Sequence, residues 1–243
     1  MKIPIIFEDK DVVVVNKPTG LNVHPDGKSK EKTLVDWILQ KYPSAKNVGE
    51  PMALESGAKI LRPGIVHRID RDTTGCLIIA KNKKAYAFLK EQFQNRKVHK
   101  IYHAFVYGSV KDDRGMIDRA IGRSPNDVRK WSAQRGARGE MREAVTYFKT
   151  LARKDGVTFL EVMPKTGRTH QIRVHFTARN HAVLKDPLYA PRFFLEQRNQ
   201  LGFKRLALHA RELEIMLPSG TLLKIVAPYP KDFEAAVKKM TKK

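Results

Sequence analysis

Residues 67–75 read His-Arg-Ile-Asp-Arg-Asp-Thr-Thr-Gly and are the most informative stretch of this 243-residue chain. Apolar runs flank the stretch on both sides, at residues 65–66 and at residues 77–80. Short apolar runs of this kind are typical of buried strands. Carboxylates beside arginines at the edge of a buried sheet are typical of reaction sites, because burial and a positive partner both tune a carboxyl group. A structural Arg–Asp network at a turn is an equally open alternative from the local chemistry.

The chain is strongly basic. It has 47 Lys and Arg against 25 Asp and Glu, a formal net charge of +22 at pH 7. Such an excess of one sign repels itself in a compact chain, and a polyanionic partner relieves the repulsion. Nucleic acid is therefore the expected partner. No apolar run approaches the ~20 residues of a membrane-spanning helix, and the first residues do not resemble a secretory signal, so we expect no membrane association.

Cysteine and histidine usage argues against a metal site. Cys76 is the single cysteine, which excludes an intrachain disulfide and a zinc site built on cysteines. His170 and His175 are five residues apart, which suits neither the i,i+4 metal pair of a helix nor one face of a strand. We expect no metal. The cysteine usage also fits a reducing compartment, so we expect a cytoplasmic protein.

Hydrophobic periodicity predicts one mixed α+β domain over residues 1–243. With 42% hydrophobic residues the chain can bury a substantial core. The predicted strands are an N-terminal hairpin over 5–18 and the segments 76–80, 98–110, 144–148, 158–162, 205–215 and 222–228. The predicted helices cover residues 33–42, 83–97, 170–179 and 231–240, and the predicted loops cover 44–63 and 111–142.

Two short segments carry candidate binding chemistry. Residues 167–173 place a glycine turn before a predicted helix capped by Thr169, and backbone N–H groups at a helix start favour a phosphate or a catalytic carboxylate. Arg168 and Arg173 add positive charge there, although a capped helix with solvated arginines is the alternative. Lys100 and Tyr102 lie on one face of a predicted strand, where an aromatic ring can stack on a base. The alternative is that Tyr102 is a core residue.

The predicted loop at residues 122–142 is rich in arginine. Arginine bonds phosphate in a bidentate way and an interleaved tryptophan can stack on a base, so we interpret the loop as an RNA-binding element. A disordered basic loop without a fixed partner is the alternative. The residues concerned are Arg123, Arg129, Lys130, Trp131, Arg135, Arg138 and Arg142.

Taken together, the motifs resemble those of the RluA-type pseudouridine synthases over nearly the whole chain. They stand in the family's order at residues 16–25 (Asn-Lys-Pro-Thr-Gly-Leu-Asn-Val-His-Pro), 67–75, 100–102 (Lys-Ile-Tyr), 166–175 (Thr-Gly-Arg-Thr-His-Gln-Ile-Arg-Val-His) and 206–210 (Leu-Ala-Leu-His-Ala). The resemblance implies the pseudouridine synthase fold, an α+β architecture with a mixed, mostly antiparallel central sheet flanked by helices and loops.

The resemblance also implies an activity and its residues. The family isomerises uridine in ribosomal or transfer RNA to pseudouridine without a cofactor, and the target base must be flipped out of its stack. Asp70 is then the catalytic aspartate, and it either attacks C1′ of the ribose or removes a proton from C2′. Tyr102 would stack on the uracil, and Arg173 would pair with Asp70 and keep it ionised. Arg68 would enter the vacated stack or hold the RNA backbone. Lys100 and Arg168 are further candidate RNA-binding residues.

The sequence departs from the family in two places. Residues 185–190 lack the glycines that the family has at both ends of this segment, although Asp186 and Tyr189 are kept. No separate RNA-binding domain precedes the hairpin, so we expect the catalytic domain and its basic loop to find the RNA unaided. A non-catalytic RNA-binding protein on the same fold and an unrelated basic nuclease stay alternatives, and a monomer is the default expectation.

Overall fold

A computed structural model describes residues 1–25, 31–53, 57, 59–196 and 201–242. The chain divides into two units. The first unit consists of Met1–His99 and Glu212–Pro228, and the second of Lys100–Arg211 and Tyr229–Lys243. This division does not decide whether residues 1–243 fold as one domain, which stays a prediction.

The first unit is built on three antiparallel strands. They are β1 (Ile5–Glu8), β2 (Val12–Lys17) and β5 (Thr74–Ala80), paired in that order. Every side chain of β5 is buried, as are the four valines at the start of β2. This burial explains why both strands read as continuous apolar runs rather than as alternating ones. From Glu212 onward, β13 (Leu208–Met216) also belongs to this unit, where it pairs antiparallel with β14 (Leu222–Val226).

Two helices of the first unit begin at side-chain caps. Asp36 accepts hydrogen bonds from both the backbone N and the Oγ1 of Thr33, just before α1 (Leu34–Lys41). Asn82 accepts a hydrogen bond from the N–H of Ala85 at the start of α2 (Lys83–Gln94). The segment predicted as loop over 44–63 is wrong in part, since it includes most of a 3-10 helix (Pro43–Asn47) and a short pair of strands, β3 (Met52–Ala53) and β4 (Lys59–Ile60).

The second unit is a four-stranded antiparallel sheet with helices on both faces. Its strands pair in the order β6 (His99–Tyr107), β12 (Val157–Pro164), β11 (Val145–Lys154) and β7 (Arg114–Asp118). On one face α3 (Gln171–Thr177) packs through Phe176 against Phe148. On the other face α5 (Lys231–Thr241) packs through Phe233 against Phe105 and Phe159.

The prediction of a polar loop over residues 111–142 was wrong in part, because the segment contains four short strands. It holds β7 and a small three-stranded sheet, in which β8 (Ile121–Arg123) pairs with β10 (Arg138–Arg142) and with β9 (Trp131–Ser132). These strands are two to five residues long and mostly exposed. They therefore lack the hydrophobic alternation by which a strand is recognised in a sequence.

The start of α3 also differs from the prediction. The helix begins at Gln171, and the residue at its N-cap is His170 rather than Thr169. His170 has a φ of 56°, in the left-handed region that His tolerates better than most residues. Asn180, just beyond this helix, has a φ of 62°, also in the left-handed region. A further short helix, α4 (Arg192–Glu196), was not predicted.

Antiparallel strands with few helices confirm the predicted α+β class. Within the described part of the chain, none of the helices has the length and hydropathy needed to span a bilayer.

Candidate active site

The loop that carries Asp70 is anchored by buried isoleucines. Ile65 pairs with Ile79 of β5 through an isolated bridge, and Ile65 and Ile69 are both buried. The N–H of Thr73 donates to the carbonyl oxygen of Asp70 at 3.2 Å, which closes a turn just before β5. Asp70 itself is half-buried. The apolar anchors thus fix the backbone of the loop, and Asp70 is only partly buried.

A buried lysine, Lys17, also holds the backbone of the Asp70 loop. Lys17, at the end of β2, is fully buried, and its Nζ donates hydrogen bonds of 2.8 Å to the carbonyl oxygens of Pro18, Leu21 and Arg71. An ammonium group has three donors, so these bonds compensate the loss of hydration that burial imposes. The three bonds tie the backbone beside Asp70 to the loop after β2. The sequence analysis assigned no role to Lys17.

His67 and His24, which lie in two of the motifs, contact neighbouring parts of the protein. The Nε2 of His67 accepts a hydrogen bond from the N–H of Ile78 at 3.0 Å, so in this geometry its ring proton lies on Nδ1. The same ring stacks on Phe93 of α2, with centroids 4.5 Å apart. Arg68 is exposed, and one of its Nη atoms lies 3.0 Å from Nε2 of His24. His67 therefore orients the Asp70 loop against β5 and α2.

Arg173 is held by a carboxylate that the sequence analysis did not assign to it. Its Nε and one Nη donate to the two carboxylate oxygens of Asp186 at 2.7 and 2.8 Å, and both side chains are buried. One oxygen of Asp186 also accepts the N–H groups of Leu188 and Tyr189. A guanidinium has five N–H donors, and the bidentate pair with Asp186 uses two of them. The pairing of Arg173 with Asp70 stays a prediction.

Tyr189 joins the start of α3 to the small sheet. Its hydroxyl accepts a hydrogen bond from the N–H of Trp131 at 3.0 Å and lies 2.8 Å from Nδ1 of His170. The guanidinium carbon of Arg173 lies 5.0 Å from the centre of the Tyr189 ring, within range of a cation–π interaction. The segment 185–190 therefore holds Asp186 and Tyr189 in place although it lacks the family's glycines.

The side-chain amide of Gln171 organises the motif at residues 166–175. Its oxygen accepts hydrogen bonds from Oγ1 of Thr166 and from the N–H of Arg168, while its nitrogen donates to the carbonyl of Val145 and to Oγ1 of Thr146. The Nε of Arg168 donates to the carbonyl of Glu143 at 3.0 Å. Arg168, predicted to bind RNA, is half-buried and positioned by these bonds.

Lys100 and Tyr102 lie on β6 as predicted. Both side chains are half-buried. Burial lowers the pKa of Lys100 to about 8, because desolvation disfavours the ammonium form. Tyr102 pairs across the sheet with Val162, on the face that also carries the buried Ala104. The predicted alternation of β6 is confirmed, whereas a contact of Tyr102 with uracil stays a prediction.

In the basic segment predicted to bind RNA, cationic side chains contact the Trp131 ring and the Asp127 carboxylate. The guanidinium carbon of Arg123 lies 4.2 Å from the centre of the Trp131 ring. Asp127 receives a bidentate pair from Arg129 at 3.0 and 2.8 Å, and these hydrogen bonds lower the pKa of Asp127 to about 2. The Nζ of Lys130 lies 3.9 Å from the same carboxylate. Arg123 and Trp131 thus form a fixed pair, while Arg129 is already occupied by a protein acid.

Over the ranges that the structure describes, no group of three or more His, Cys, Asp or Glu side chains could hold a metal ion.

Comparison with known proteins identifies the family. The family model of RNA pseudouridylate synthases matches residues 11–178, which include Asp70, Tyr102 and Arg173. An uncharacterized RNA pseudouridine synthase of Synechocystis is 36% identical over 95% of this chain, and one of Bacillus subtilis is 36% identical over all of it. The ribosomal large subunit pseudouridine synthase D of Xylella fastidiosa is 37% identical over 94% of this chain.

Solved structures agree with the sequence comparison. The human RNA pseudouridylate synthase domain containing 1 has a TM-score of 0.75 and 25% identity, with 97% of this chain and 87% of that chain covered. The chain belongs to the RNA pseudouridylate synthase family, and the predicted RluA-type resemblance and pseudouridine synthase fold are confirmed. The chain spans 66% of the Synechocystis protein, 74% of the Bacillus protein and 66% of the Xylella protein.

Proposed function

We propose that this chain converts uridine in RNA to pseudouridine, with Asp70 as the catalytic carboxylate. The observation that carries the proposal is the half-buried Asp70 on a loop whose backbone is fixed by Lys17, inside the range matched by the family. Catalysis by a carboxylate requires a fixed position relative to the reacting sugar, and a loop whose Arg71 carbonyl accepts a hydrogen bond from the buried Lys17 meets that requirement.

The reaction is an isomerisation in which the bond between N1 and C1′ breaks and a bond between C5 and C1′ forms. The proton displaced from C5 leaves to solvent and N1 takes up a proton from solvent, so atoms and charge balance without a co-reactant. Asp70 either attacks C1′ or takes a proton from C2′, and both roles need the ionised carboxylate. We propose that Tyr102 stacks on the uracil while it turns and that Arg173 keeps Asp70 ionised. The rigid bidentate hold of Asp186 on Arg173 supports a positioning role for that guanidinium.

We propose ribosomal RNA of the large subunit as the substrate. Relatives at 35 to 37% identity are named ribosomal large subunit pseudouridine synthases, and the formal net charge of +22 suits a large polyanion. Transfer RNA is the second candidate, since the sequence resemblance covers enzymes of both substrates. A cytoplasmic location follows from either substrate and belongs to the same proposal.

Tritium release tests this function. The protein is incubated with transcripts of large-subunit ribosomal RNA or of transfer RNA that carry tritium at C5 of uridine. We expect tritium to appear in water from one transcript class and the RNA to keep its length and mass. Shortened RNA would identify a nuclease, and tight binding without tritium release would identify a non-catalytic RNA-binding protein.

The Arg123–Trp131 pair is proposed to contact the RNA away from the reacting uridine. Its cation and ring suit a phosphate and a base. We expect Arg123→Ala to reduce the slope of log K against log salt concentration by about 1. Trp131→Ala should weaken binding by about 5- to 100-fold, from the ~1–3 kcal/mol of one stacked base. Arg129→Ala is the matched control with a smaller effect, because Asp127 already binds Arg129. Equal slopes for all three variants would contradict the proposal.

Lys100 should make RNA binding depend on pH. Its pKa of about 8 means that the ammonium form, which attracts phosphate, is complete near pH 6.5 and is lost as the pH rises through 8. We expect the affinity gap between wild type and Lys100→Met to be largest near pH 6.5 and to shrink towards pH 9. Lys100→Arg should keep its affinity at pH 9, because arginine stays charged. A gap that does not change with pH would refute an ionic role of Lys100.

A further inference from the structure

The outer face of the sheet in the second unit is only partly covered. Tyr147 of β11 lies opposite Met116 of β7 on one side and opposite Met163 of β12 on the other. Since Tyr102 lies opposite Val162, the next residue along β12, Tyr102 and Tyr147 belong to opposite faces of this sheet. The helix α5 packs on the face of Tyr147, where Phe233 meets Phe105 and Phe159, and α5 also lies close to β11.

The uncovered part of this face exposes large apolar side chains. Met116 is 50% exposed and Tyr147 is 40% exposed, whereas Phe148, the next residue of β11, is 1% exposed on the other face. Apolar side chains that lie side by side at the surface are a common mark of an interaction site. An aromatic ring on an open sheet face is also the arrangement on which unpaired bases stack in RNA-binding sheets.

Two cations lie beside this pair. Arg114 and Lys149 are opposite each other at the next same-face position along β7 and β11, and both are exposed. Neither side chain forms an ion pair with any residue of the described ranges. Like charges directly opposite each other destabilise a sheet, and an anion bound between them removes that cost. The acids nearest in register are Glu161, opposite Lys149, and Asp118, opposite Val145.

We propose that Arg114, Met116, Tyr147 and Lys149, here called the Tyr147 patch, bind an unpaired segment of the substrate RNA. A second copy of this chain is a poor occupant, because two proteins of net charge +22 repel each other. A nucleotide offers both a ring for Tyr147 and a phosphate for the two cations. The inference rests on the proposed function in taking RNA as the substrate. The sheet separates the patch from Tyr102, so the two contact different nucleotides.

Binding to two RNA probes tests the patch. The probes are a 20-nucleotide oligouridylate and a 20-base-pair RNA duplex of mixed sequence. We expect Tyr147→Ala to weaken binding of the single strand by about 5- to 100-fold and binding of the duplex by less than twofold. Tyr147→Phe keeps the ring and should bind like wild type. Arg114→Ala with Lys149→Ala should reduce the salt slope for the single strand by about 1.4.

Matched controls come from the other unit. Leu222 is 56% exposed, and Lys224 on the same face of β14 is exposed and paired with Glu212, so Leu222→Ala and Lys224→Ala remove an apolar group and an already paired cation and should leave binding unchanged. A crosslink between 4-thiouridine in the oligonucleotide and β7 or β11 gives a readout that needs no variant. Wild-type affinity and slope in the patch variants, without such a crosslink, would overturn the proposal and assign the patch to a protein partner or to none. The tritium assay reports the proposed function separately, since RNA binding is measured without turnover.

Discussion

Asp70→Asn is expected to lower the rate of pseudouridine formation at saturating RNA by about 10³-fold or more. The amide can neither attack C1′ nor accept a proton from C2′, and loss of a positioned acid or base removes about 10² to 10⁴ of rate. The fold should persist, because Lys17 and Thr73 bond the backbone of this loop rather than the carboxylate. Single-turnover tritium release at saturating enzyme measures the effect.

Asp72→Asn is the matched control for this prediction. Asp72 lies two residues further along the same loop, and Thr19 bonds its carbonyl oxygen rather than its carboxylate. Its replacement should keep the rate within about tenfold of wild type and leave RNA affinity unchanged. Equal rates for Asp70→Asn and wild type would remove Asp70 from the chemistry, even if the protein forms pseudouridine.

Asp186→Ala is expected to destabilise the protein by about 3–5 kcal/mol in the free energy of unfolding. The substitution removes the bidentate partner of a guanidinium that is about 5% exposed, and breaking a buried ion pair from one side carries a cost of this size. It also removes the acceptor of the N–H groups of Leu188 and Tyr189. Urea denaturation followed by circular dichroism measures the loss.

Two further variants separate stability from function. Arg192→Ala breaks an exposed i,i+4 ion pair with Glu196 in the same unit and should cost only about 0.5 kcal/mol. Arg173→Met with Asp186→Leu replaces the buried pair by apolar side chains, and should recover much of the stability lost by Asp186→Ala while remaining inactive. Full activity in that double variant would show that Arg173 serves the fold alone.

The elements with strong apolar periodicity could be predicted from the sequence. The valines of β2 and the apolar run at β5 decide their burial locally, so one segment of sequence is enough to recognise each. The strand β6 was also predicted, although both of its faces are buried over residues 103–107. The small sheet of β8, β9 and β10 could not be recognised, since its strands are two to five residues long and none shows an apolar alternation. The cap of α3 was misassigned because its geometry depends on the left-handed conformation of His170, which no local propensity favours over a Thr cap.

The residues of the candidate site could likewise be predicted only in part. Asp70, Tyr102 and Arg173 were identified because short motifs carry them, whereas their supporting residues act across long separations. Lys17 bonds a carbonyl 54 residues away, and Trp131 bonds a hydroxyl 58 residues away. Such contacts depend on the register of the finished sheet and leave no local pattern. A lysine two residues after four buried valines was one available sign, because a charged side chain at the end of a buried strand needs a partner.

The bonds of Lys17 give the Asp70 loop an unusual tolerance to sequence change. Positions 18, 21 and 71 contribute only carbonyl oxygens to this arrangement, and every amino acid supplies the same group there. A substitution at these positions keeps the acceptors of Lys17, although Leu21 must also fill its place in the core and Arg71 also bonds Gly20 and Glu31. A shorter or uncharged replacement of the lysine would instead leave three inward-facing oxygens without a donor. We therefore expect changes at the exposed positions 18 and 71 to leave the backbone of the Asp70 loop in place and changes at position 17 to loosen it.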